Sequence, residues 1–109
     1  MALLSTQTIV NAGTAPTFAA AAASDTVTYS TGLFVVYKNT NAATRTITVV
    51  VPGNTLYDDA ITDHALTIAA TTGELWIPIR SLARDTTTGL VTITTSAQTN
   101  VTVAAVRLV

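Results

Sequence analysis

Leu90-Val91-Thr92-Ile93-Thr94-Thr95 decides the fold class. Val91 and Ile93 point one way and Thr92 and Thr94 the other, the period-two pattern of a strand with one face in a core. Arg45-Thr46-Ile47-Thr48-Val49-Val50-Val51 repeats it, with Ile47, Val49 and Val51 opposite Thr46 and Thr48. Threonine fills 24 of 109 positions, whereas five basic and six acidic residues are the whole charged complement. Threonine is β-branched, stiff at χ1 and suited to a pleated surface. A chain that coats itself with threonine in place of Lys and Glu reads as all-β. Its surface is as suited to touching protein as water, which points to a structural or binding role and away from an enzyme.

Working outward, about eight strands separated by turn residues are predicted. Gln7 to Val10 reads as a short strand or extended arm, followed by the turn Asn11-Ala12-Gly13-Thr14. Thr17 to Ala23 contains five alanines in a row, which favour helix locally. Helices under about 12 residues are marginal on their own, and β-type segments flank this one, so it is read as extended. Thr26 to Tyr29 is a strand. Leu33 to Lys38, apolar on both faces, is a central strand, and residues 39–44 are a hairpin loop. Thr55 to His64 is a surface excursion carrying three of the six acids. Ala65 to Ala70 and Glu74 to Ile79 flank the turn Thr71-Thr72-Gly73, and Pro78 marks either an edge strand or a position near its strand's end. Ser81 to Asp85 reads as one helical turn plugged by Leu82. Val101 to Leu108 closes the domain. Its apolar residues break alternation, so either a bulge switches the face or both faces are covered. The inward set is Val27, Tyr29, Leu33, Val35, Ile47, Val49, Leu66, Ile68, Leu75, Ile77, Val91, Ile93, Val101 and Val103. The fold expected is a single antiparallel β-sandwich, jelly-roll-like, with residues 1–16 as an extended N-terminal arm and residues 17–109 as the sandwich domain.

A net charge of −1 without clustered Lys or Arg leaves no footprint for nucleic acid or an anionic membrane. No apolar run approaches the roughly 20 residues of a membrane helix. Cysteine is absent, which excludes thiol chemistry and cysteine-type zinc sites. Hydrophobic residues make up 49% of the chain, and so low a charge fraction suits a protein covered by partners in an assembly.

Candidate chemistry is sparse. His64 follows Asp63, with Asp58 and Asp59 nearby, a set that could hold a divalent ion or orient an acid–base pair. No glycine lies between Gly53 and Gly73 to turn a calcium loop, so an exposed acidic loop is the plainer reading. None of the serines sits in a nucleophile elbow. Neither a cofactor nor a small-molecule substrate is expected. Trp76 and Tyr57 could form a carbohydrate platform, but packing in the core or a subunit interface suits Trp76 better, its strand being otherwise apolar. Arg80 and Arg84 flank the helical turn and could pair with Asp85 or a neighbouring subunit; solvated loop charges are the alternative. Leu3, Leu4, Ile9 and Val10 make the arm apolar. It either adds to a partner's sheet edge or folds back on its own domain. Removing residues 1–16 is expected to abolish binding to a partner and leave the sandwich folded.

Three segments carry a resemblance. They are Met1 to Phe18, then Phe34-Val35-Val36-Tyr37-Lys38-Asn39 with Arg45 to Val49, and finally Gly89 to Thr94 continuing through Val101 to Leu108. Together they resemble small head decoration, or cement, proteins of tailed bacteriophages, chiefly those of actinobacterial hosts. The resemblance implies a β-sandwich, commonly trimeric, that is made in the host cytoplasm and binds the outer face of the assembled capsid. Its partners would be the major capsid protein and further copies of itself. Leu3, Leu4, Ile9, Val10, Phe18, Trp76, Arg80 and Arg84 are the candidate interface residues. The alternative is a tail or fibre domain recognising a host glycan, which needs an exposed Trp76 or Tyr57.

Overall fold

A computed structural model describes residues 2–52, 55–56, 59–60 and 63–108. Twelve strands are present among them: β1 Ala2–Leu4, β2 Thr6–Ile9, β3 Ala19–Ala20, β4 Ser24–Thr28, β5 Leu33–Asn39, β6 Arg45–Val49, β7 Thr55–Leu56, β8 Asp59–Ala60, β9 His64–Ile68, β10 Gly73–Pro78, β11 Leu90–Thr95 and β12 Val101–Leu108. The expected count of about eight rises because β1 pairs at a sheet edge and β7 pairs with β8 inside the stretch read as a surface excursion. There is no α-helix among the described residues; Ser81–Ala83 is a 3-10 turn. Leu82, the expected plug, lies outside the described side chains, and Ala83 is the buried residue there.

Two sheets face each other. Sheet A runs β1-β4-β11-β6-β9, and sheet B runs β10-β5-β12-β2, with β3 also paired to β12. β7 and β8 form a separate small ribbon. From β4 onward the chain alternates between the two large sheets, except where β6 is followed by β9 in sheet A. The expectation of a purely antiparallel sandwich is corrected: both sheets are mixed. β1 runs parallel to β4, with Leu3 opposite Thr26, and β2 runs parallel to β12, with Gln7 opposite Val106. The cause is the N-terminal segment. It lies along the edge of sheet A, crosses at Ser5 and continues along the edge of sheet B. Of the two readings of this segment, the chain by itself shows the folded-back one.

The expected inward set forms the core. Val27, Val35, Ile47, Ile68, Val91 and Ile93 have no exposed surface, and Tyr29, Leu66 and Leu75 pack against the cluster from its rim. Each such side chain contributes roughly 1.5–3 kcal/mol of burial before chain entropy is subtracted. The alanine run is extended, as expected: Ala19 and Ala20 pair with Val103 and Thr102, and Ala21 is buried. Asn39, assigned from sequence to a loop, ends β5 and is fully buried. Its amide donates to Ala43 O at 2.9 Å and Ala69 O at 3.0 Å, and its Oδ1 accepts from Asn41 N at 3.1 Å. All its polar atoms are engaged, so its burial carries no unpaired cost. Both alternatives for Pro78 hold: β10 stands at a sheet edge, and Pro78 is its last residue.

Candidate functional site

The outer face of sheet B is built from alternate residues of β10, β5 and β12. Register places Glu74, Lys38 and Thr102 in one row, Trp76, Val36 and Ala104 in the next, and Pro78, Phe34 and Val106 in the third. Val36, Ala104 and Val106 are buried although they face away from the core. This answers the broken alternation of the last strand: both of its faces are covered. Part of the cover is the chain's own return segment. The Gln7 amide donates to Thr17 O at 2.9 Å, and Thr17 N donates to Gln7 Oε1 at 2.8 Å. Phe18 then presents its ring to Lys38, with Nζ 4.3 Å from the centroid.

Beside this cover sits an open aromatic patch. Trp76 is 52% exposed, and its indole lies 5.3 Å from the Phe34 ring, tilted by 30°. Trp76 Nε1 donates to Glu74 Oε2 at 3.0 Å, and Glu74 Oε1 stands 3.7 Å from Lys38 Nζ. The side chains therefore form a continuous line: Phe34, Trp76, Glu74, Lys38, Phe18. Phe34 below and Glu74 at the side hold the indole in place. A large ring whose rotamer is already set loses little entropy on docking. Lys38 and Glu74 neutralise each other, so the patch presents no net charge to desolvate. Leu108, also exposed, lies where β12 leaves the sheet. A groove of about 470 Å3 lined by Tyr29, Phe34, Pro78, Arg80 and Leu108 extends from this end of the patch.

The proposed residues divide. Phe18 and Trp76 share the patch through Lys38 and Glu74, and Ile9 pairs with Leu108 at its margin. Arg80 lines the adjoining groove, and the Arg84 guanidinium sits 5.6 Å over the Tyr29 ring of the same groove. Arg84 does not pair with Asp85, whose carboxylate accepts instead from Thr87 N at 2.8 Å and Thr88 N at 3.3 Å. Leu3 lies elsewhere, 65% exposed on the edge of sheet A, and Leu4 packs inward against the core. Val10 is exposed in a tight turn closed by Gly13 N on its carbonyl. Core packing does not describe Trp76. Its strand alternates, and it falls on the side away from the core. Phe34, Lys38, Glu74 and Leu108 were missed; Phe34 sits in a run so apolar that sequence gives no sign of which side stays open.

Among the described residues no group of His, Asp and Glu side chains could hold a metal ion. Asp63 accepts from Val51 N at 2.8 Å, while Tyr57, Asp58 and the side chain of Asp59 lie outside the described residues. Asp25 and Tyr37 are fully buried, and Asp25 Oδ1 and the Tyr37 hydroxyl have no partner. Burial raises the Asp25 pKa, against the pull of the Ala22 N–H on Oδ2. Burial, with the charge of Asp25 adding to it, raises that of Tyr37 further still. Comparison of the chain with protein-family models, curated proteins and solved structures gives no significant match.

Proposed function

We propose that this protein is a structural virion component, a decoration protein that binds the outer surface of an assembled phage capsid as a homotrimer and stabilises the head. The observation that carries the reading is the pre-set Trp76–Phe34 patch on the outer face of sheet B, exposed and free of net charge. Aromatic anchors of this kind dominate protein–protein binding energy when a partner covers them. The resemblance of the three quoted segments to phage cement proteins supports the same reading. In this proposal the jelly-roll-like sandwich is a rigid spacer, the role is adhesive and not catalytic, and the patch with its adjoining groove meets the major capsid protein. Three linked copies raise the effective concentration of each contact, so individually weak sites hold together. A ligand that prefers the assembled shell to loose subunits also stabilises that shell by mass action.

Quantitative peptide mass spectrometry of purified particles tests this. A copy number close to that of the major shell protein is expected; absence from the particle would overturn the reading.

The exposure of Trp76 favours a second reading, a tail or fibre domain that stacks a host sugar on the indole. A few to tens of copies per particle, with Trp76 fluorescence quenched by added sugars, would establish that one.

A further inference from the structure

A second pocket, unconnected with the aromatic patch, lies where the N-terminal segment closes the side of the sandwich. Its volume is about 250 Å3, and it is lined by Thr6 and Thr8 of β2, Thr28 of β4, Ser30 of the following turn and Arg107 of β12. Every lining side chain carries a hydrogen-bond donor. Arg107 Nε and Ser30 Oγ are both buried and both without a partner. The Arg107 side chain makes no hydrogen bond or ion pair among the described residues, and none of the pocket's lining residues is acidic. A buried Nε–H without an acceptor is costly, because desolvation removes water and nothing replaces it. The pocket therefore offers an anion one positive charge, a planar fork of N–H groups and four hydroxyls, with the Arg107 Nε–H and the Ser30 hydroxyl already shielded from solvent. Arginine's fork matches a planar two-oxygen acceptor with two parallel hydrogen bonds. A single guanidinium balances one negative charge, which favours a carboxylate over a phosphate dianion.

We propose that Thr6, Thr8, Thr28, Ser30 and Arg107 form a binding site for a carboxylate group. The carboxylate accepts from the Arg107 guanidinium and from the hydroxyls around it, Ser30 foremost because its Oγ is already stripped of solvent. The same chemistry is offered by a free carboxylic acid and by an acidic side chain of a partner protein. This site stands whether or not the capsid reading does.

The test follows the arginine Nε–H signals of the whole protein by 1H–15N NMR. Loss of one signal in Arg107→Gln assigns the Arg107 resonance. Titration with sodium acetate is expected to shift that resonance saturably, with a millimolar dissociation constant. Arg45, Arg80 and Arg84 should stay unmoved, and sodium chloride at matched ionic strength should have no effect. Ser30→Ala, which leaves the cation and the fold in place, should weaken acetate binding severalfold. The blocked tripeptide acetyl-Ala-Glu-Ala-amide separates the sources. Binding tighter than acetate assigns the site to a protein side chain, and equal or weaker binding assigns it to a free acid. Three results would overturn the proposal: no saturable shift, which would mean a pocket filled by water alone; parallel shifts of all four arginines; or phosphate binding more tightly than acetate.

Discussion

Trp76→Ala separates what the indole does for the fold from what it does for a partner. Trp76 is 52% exposed. A tryptophan buries up to ~250 Å2, so about 125 Å2 of it is already covered and a similar area remains for a partner. At ~25 cal/mol per Å2 the uncovered half is worth about 3 kcal/mol of binding, roughly a hundredfold in dissociation constant. The covered half rests on Phe34 and the N–H on Glu74, and losing both should cost folding about 2–3 kcal/mol. For a domain near 100 residues that lowers the melting temperature by roughly 10–20 °C. Both numbers are measurable independently. Thermal melts by circular dichroism give the first. Co-sedimentation of the variant with undecorated capsids, well below its melting temperature, gives the second. Trp76→Phe keeps an aromatic on Phe34 and should recover most of the stability but only part of the affinity. A variant that melts early yet binds capsids within threefold of the parent would refute the reasoning, because Trp76 would then be a packing residue and not an anchor.

Three further outcomes are expected. Burial holds the pKa of Asp25 above its ordinary 3.8, so the native state keeps this proton more tightly than the unfolded chain does. The stabilisation is complete below that ordinary value and is lost as pH rises through the folded one. Asp25→Asn, which can still accept from Ala22 N–H, should therefore match the parent in melts near pH 4 and exceed it at pH 7; a parent more stable than the variant at pH 7 would contradict this. Gly73 is buried opposite Asn39, and a Cβ there would run into the Ala69 carbonyl. Gly73→Ala should cost about 1–3 kcal/mol in urea unfolding, and an unchanged midpoint would mean that the hairpin shifts freely. Deleting residues 1–9 removes β1 and β2, uncovering the edges of β4 and β12 and the contact of Leu4 with the core. The shortened chain should melt earlier and associate through its open edges. A monomer with an unchanged melting temperature would show that the segment is dispensable to the sandwich.

The fold was legible where one face of a strand is buried and the other is not. Val91 and Ile93 against Thr92 and Thr94 give the face of β11 from letters alone, and every residue of the expected inward set lies in or against the core. Legibility fails where pairing is non-local. Nothing in Thr6-Gln7-Thr8-Ile9 states that it runs parallel to Ala105 to Leu108, nearly the whole chain away. It fails again where polar residues go inside. Asn39 reads as a loop residue and Asp25 as an ordinary charged residue just past the alanine run, yet both are fully buried. For Asn39 the reason is its partners at Ala43 and Ala69, which only the folded chain brings within reach. The aromatic patch was half visible: Trp76 was identified, but its neighbour Phe34 was hidden in a run apolar on both sides.

The two outer faces then divide the work of the composition. On sheet A, cross-strand register sets Thr26 against Thr92, Thr94 against Thr48, and Thr46 against Thr67. Threonine pairs of this kind stabilise a sheet directly, by branched packing and hydroxyl contact across the strands. Six of the 24 threonines are placed in such pairs on sheet A. Sheet B has no such carpet on its outer face. Its middle row is Trp76, Val36 and Ala104, its cover is borrowed from Gln7, Thr17 and Phe18, and its charges cancel in one Lys38–Glu74 pair. A sandwich that stabilises one face with its own hydroxyls and leaves an anchored indole open on the other has an asymmetry that folding alone does not demand. The partner proposed for the sheet B face would supply the reason.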